Sequence, residues 1–183
     1  MRLYRNRVLV DAVGFALAQR QQVLNTQYFS FAGECPDLHS GYKIYSRRIC
    51  ELMVERPWEC PPRVGPEIYR YGVEAVPFVE GVMAGAIVGE VTRLTQEPDF
   101  SGHDASARPE ANGSILLWTL LRLGIGAKQA AAILDNHLSR LTLWTDPQGR
   151  EALLELRRYV LGNVSLSISE PYAAPIMKGT RYF

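Results

Sequence analysis

Four residues carry the side chains of a zinc site: Cys35, His39, Cys50 and Cys60. Structural zinc ligands usually come in pairs two to four residues apart, a spacing that preorganises the chelate. Cys35 and His39 approximate one such pair, but Cys50 and Cys60 are too far apart to form the second. The spacing therefore favours unlinked thiols over a metal centre. An odd cysteine count also gives no disulfide framework, which points to a reducing, intracellular setting. A second group, Asp99, His103, Asp104 and Glu110, carries acid–base side chains. Acid–base chemistry needs fixed geometry, and these four lie in a polar stretch where nothing supplies it. The chain has no Gly-rich phosphate loop, no Gly-x-Ser-x-Gly and no His-Glu-x-x-His. Cys50 has no neighbouring base in the sequence that would make it a nucleophile. No catalytic residue, metal or cofactor is assigned, and the sequence reads as that of a non-enzymatic protein.

One stretch has the residue types of a phosphate contact. Residues 122–134 run Arg-Leu-Gly-Ile-Gly-Ala-Lys-Gln-Ala-Ala-Ala-Ile-Leu. With Gly124, Ile125, Gly126, Ala130 and Ile133 at these offsets, the stretch resembles a helix-hairpin-helix motif. The resemblance implies sequence-independent binding of a DNA backbone. Backbone N–H groups near Gly124 and Gly126 would meet a phosphate at a helix N-terminus, and Lys128 would add charge. Leu123 stands where the motif often has proline, and the basic residues nearby are Arg122, Lys128 and Arg140. A buried helix–glycine–helix corner would carry the same residues. A helix-turn-helix reading of residues 129–144 fails, because its turn glycine falls on Asp135 and the next apolar position on Asn136.

Two further features suit contacts with protein. Gly81, Gly85 and Gly89 recur every fourth residue in a stretch that reads as a helix from Pro77 to about Thr95. On one helix face they would let another backbone approach closely, at a cost of roughly 1 kcal/mol each in helix propensity. After Gly162, Val164, Leu166 and Ile168 alternate with serines, the period of a half-buried strand. Tyr172, Ile176, Met177, Tyr182 and Phe183 follow, so residues 163–183 read as an extended arm able to add a strand to a neighbour.

The elements that must position these groups read as helices. An apolar stripe at helical period spans 6 to about 24 through Val8, Leu9, Ala12, Val13, Ala16 and Leu17. A second, with Tyr42, Tyr45, Ile49, Leu52 and Met53, stops at Pro57. Pro57, Pro61, Pro62 and Pro66 make a stiff, extended connection over 57–66, and residues 96–114 form a polar loop. Ser114 is placed to cap a helix that is apolar almost all round, from Ile115 to Leu121, and the most buried of the set. Further helices are expected from Ala127 to Leu143, and from Asp146-Pro147 to an end at Gly162.

The fold class is mainly α: one helical domain over 1–162 with five to six helices and a strand-like arm over 163–183. The chain's 183 residues and 47% apolar content can bury a core. A net charge of +1 excludes a strongly basic coat or an acidic tail, although seventeen of the twenty basic residues are arginine. The basic, apolar opening resembles the start of a targeting segment but is broken by Asp11 and Gln19. The longest uncharged apolar stretch, 81–89, is far short of the ~20 residues needed to span a bilayer. The sequence thus reads as a soluble structural subunit of a larger assembly, a virion or another complex. It would bind a protein partner or its own copies through the arm and the glycine face. The alternative is nucleic-acid binding through Gly124, Gly126 and Lys128.

Overall fold

The structure, a computed structural model, describes residues 1–24, 38, 43–55, 60–89, 109–143 and 145–165. Among them are seven α-helices and no strand. The helices are α1 (Arg2–Ala18), α2 (Arg47–Glu55), α3 (Glu67–Tyr71), α4 (Ala75–Met83), α5 (Pro109–Arg122), α6 (Ala127–Leu143) and α7 (Pro147–Ser165), with a 3-10 turn at Pro62–Val64.

The expected apolar stripe of α1 is the buried one, and it extends one turn earlier to Tyr4. The Tyr4 hydroxyl donates to the carbonyl of Leu134 on α6 at 2.7 Å, which satisfies a polar group inside the core. Burial, with the nearby Asp135 charge adding to it, holds this phenol well above the ordinary tyrosine value.

α5 is the central helix, packed on α7, α3, α1 and α4. Every side chain from Ile115 to Leu120 is buried, including Trp118 at 1% exposure. The helix starts at Pro109, not at a Ser114 cap. Proline is acceptable at a first helical position because that N–H has no partner in any case. Ser114 sits inside the helix, its hydroxyl donating to the Ala111 carbonyl at 2.9 Å. The close helix approach in this fold is at Gly113, where a Cβ would stand 2.7 Å from Tyr159 Cε1 on α7.

The proline-rich connection does more than span a distance. Its 3-10 turn and α3 bury Val64 and Ile68 completely against the core. α2 is amphipathic, with only Ile49 buried.

Three expectations are corrected. The helix expected from Pro77 to about Thr95 is α4, which ends at Met83, so Gly81, Gly85 and Gly89 do not share a helix face. Gly85 takes φ +88°, its N–H donating to Val82 O and that of Ala86 to Gly81 O, a glycine-closed helix end. Gly81 is buried near Ile49 of α2, and Gly89 is exposed beyond the helix. The last helix does not stop at Gly162 but runs to Ser165, as Val160 and Val164, one turn apart, are both in the core. Packing of that face outweighs the glycine penalty of about 1 kcal/mol. Val164 is therefore a core residue, 2% exposed, and not the first residue of an extended arm. Leu166, Ile168, Tyr172, Tyr182 and Phe183 lie outside the described residues. α7 begins as expected, with Asp146 Oδ1 accepting from the Gly149 N–H at 2.6 Å.

Candidate nucleic-acid interface

The Gly124–Gly126 hairpin is built by the end of α5 and the start of α6. The Gly124 N–H donates to Leu121 O at 3.0 Å, and the Ile125 N–H to Leu120 O at 2.9 Å. This closure requires the left-handed conformation at Gly124, whose φ is +69°. Ile125, Ala130 and Ile133 point into the core, whereas Gly124, Gly126 and Lys128 are exposed. The three residues singled out from the sequence thus lie together on one solvent-facing corner.

Two properties of this corner suit an anion. The first N–H groups of a helix have no intrahelical acceptor and stand at the positive end of its dipole. α6 is 17 residues long and starts directly after Gly126. Lys128, in its first turn, makes no ion pair among the described residues.

Arg122 has another task. Its Nε and Nη2 grip the Glu80 carboxylate at 2.5 and 2.8 Å, bracing the end of α5 on α4. These side chains are only 13% and 18% exposed, and a two-point guanidinium–carboxylate pair fixes direction as well as charge. Arg122 is therefore withheld from a ligand at the hairpin.

Sequence reasoning missed the contribution of α1. Beside the hairpin lies an open cleft of about 400 Å³, with Phe15, Gln19 and Arg20 on one side and Leu123, Gly126 and Gln129 on the other. Arg20 is exposed and has no acidic partner among the described residues. Partial burial, and then the neighbouring Arg122 charge, lowers its affinity for its proton. A negative group in the cleft would relieve that repulsion. Arg20 follows the apolar stripe of α1, but only the tertiary fold places it against residue 126. The Asp11 carboxylate helps to fix this placement by accepting from Asn136 Nδ2 at 2.8 Å and meeting His137 Nε2 at 2.9 Å, both on α6.

The other candidates do not assemble. Cys50 is exposed, and Cys60 is half-buried with its thiol pushed up by burial. Cys35 and His39 lie outside the described residues, as do Asp99, His103 and Asp104, while Glu110 is exposed in the first turn of α5. Among the described residues no group of His, Cys, Asp and Glu could hold a metal ion, and no helix is long and apolar enough to cross a membrane. The helix-turn-helix alternative has no turn, since α6 runs unbroken through Asp135 and Asn136. Comparison with protein-family models, curated proteins and solved structures finds no match.

Proposed function

We propose that this chain is a non-enzymatic nucleic-acid-binding protein that contacts the phosphate backbone, without reading sequence, through Gly124, Gly126 and Lys128. The observation that carries this reading is the sorting of the hairpin: Ile125, Ala130 and Ile133 are buried, while Gly124, Gly126 and Lys128, which makes no ion pair among the described residues, face solvent at the start of α6. Arg20 supplies a second cation beside it. With about two phosphates neutralised, binding should be weak and log Kobs should fall with log salt at a slope of about −2. Lys128 is exposed, so Lys128→Glu should leave the helical fold intact and weaken binding to labelled DNA several-fold. Equal affinity of the two proteins would refute the reading.

A second reading has its own observation. Ile44, Val54, Tyr69, Val73 and Ile87 are large apolar residues more than half exposed, on α2, on α3 and in the segments beside α2 and α4. They support the structural-subunit reading, in which the chain docks onto protein in an oligomer, a virion or another complex. The residues 166–183 would belong to that contact. Light scattering on the full chain should then give a mass well above 20.5 kDa. A monomer at high concentration would count against self-assembly.

A further inference from the structure

We infer that the cleft between α1 and the hairpin receives one unstacked base of a single-stranded nucleic acid, next to the phosphate at Gly126 and Lys128. This rests on the phosphate-contact reading and names which form of nucleic acid the site prefers.

The cleft's size and lining carry the argument. Its volume of about 400 Å³ falls within the roughly 300–1,000 Å³ of small-ligand sites. A base has an apolar face and a polar edge, and the cleft offers partners for both. Phe15 and Leu123 line it with apolar surface, and Phe15 is aromatic, so a base can stack on it. Gln19 and Gln129 bring amide donors and acceptors for a base edge, and the Arg20 guanidinium can stack or meet the next phosphate. The bases of a duplex are already stacked and paired, so only an unpaired strand can supply one without an opening cost.

Charge alone predicts the opposite preference, because duplex DNA has the higher charge density and the steeper counterion effect. Preference for the single strand would therefore report the cleft rather than the cations. The test is fluorescence anisotropy of the full chain with labelled oligothymidylate of about twelve nucleotides, within the ~4–16 range of single-strand sites. A duplex of the same length is measured at the same salt. The single strand should bind about tenfold tighter, in the range expected for one stacked base. Phe15→Leu keeps apolar volume but removes the ring, and should erase the difference by weakening only the single strand. Gln19→Leu, at an exposed position, removes a partner of the base edge without adding a ring and should narrow the difference if the first variant does not fold. Equal or tighter duplex binding by the wild type would overturn this inference and leave the hairpin reading standing. Binding of neither probe at low salt would overturn both.

Discussion

Among the described residues three helix ends close with the same hydrogen-bond pattern, but only two of them place glycine at the residue that must turn left-handed. At Gly85 and Gly124 the positive φ carries no side-chain penalty. At the end of α1 the same position is Gln21, with φ +58°, while the Gln22 N–H donates to Leu17 O at 2.9 Å and that of Gln21 to Ala18 O at 3.0 Å. A left-handed residue with a Cβ costs roughly 1 kcal/mol. Gln21→Gly should therefore raise stability, by about 0.5 kcal/mol after the added freedom of the unfolded chain is counted. Urea midpoints of the two proteins measure this; a variant less stable than the wild type would contradict the assignment of α1's end. The converse change, Gly124→Ala, meets no neighbour within 4 Å but is strained by φ, so its cost falls on the backbone of the hairpin itself.

At the scale of elements, the contact between α5 and α7 is set by a missing side chain. Alanine is the better helix former by about 1 kcal/mol, yet at Gly113 its methyl would enter the Tyr159 ring. Gly113→Ala should therefore destabilise the protein by about 1–3 kcal/mol, and a gain in stability would show that α5 and α7 are not in close contact there. α6 and α7 are joined by Arg157, whose Nε and Nη2 reach the Asp135 carboxylate at 2.5 and 2.8 Å. That hydrogen bonding holds the Asp135 carboxyl below its ordinary value. A depressed folded-state value contributes stability above the unfolded-state value, and the contribution is lost as pH falls through the folded one. The wild type should thus exceed Asp135→Asn in stability at neutral pH and lose that margin as pH falls below the ordinary aspartate range. The pair is part-exposed, so the margin is small, but a gap that stays constant with pH would rule the pairing out. Most helices were legible because their apolar faces repeat at helical period, and the start of α7 because cap and proline agree. Several ends lie elsewhere than the local pattern suggests, and those of α4 and α7 do so because Gly85 and Gly162 have the same local character and only packing distinguishes them. Gly85 closes a helix, while Gly162 is carried through one by the burial of Val160 and Val164.

For the whole molecule, the outcome is a helical core around α5 that presents one glycine hairpin to solvent next to a cleft formed by α1. The hairpin was legible in the sequence because its spacing is local: Gly124, Ile125, Gly126 and Ala130 lie within seven residues. Arg20, Phe15 and the Glu80 brace on Arg122 were not, because residues more than 40 positions apart in the chain meet only through tertiary packing. The glycine stripe does not form a helix face for a related reason: a four-residue spacing defines a face only where the helix continues, and α4 stops at Met83. The proposed contact is between the exposed hairpin and the nucleic-acid backbone. The most direct measurement is a titration of labelled DNA with the full chain, read by anisotropy at several salt concentrations, with Lys128→Glu alongside. The proposed contact should give saturable binding at low salt, a log–log salt slope of about −2, and a shallower slope by about one with Lys128→Glu. No binding at low salt, or a slope unchanged by Lys128→Glu, would contradict it.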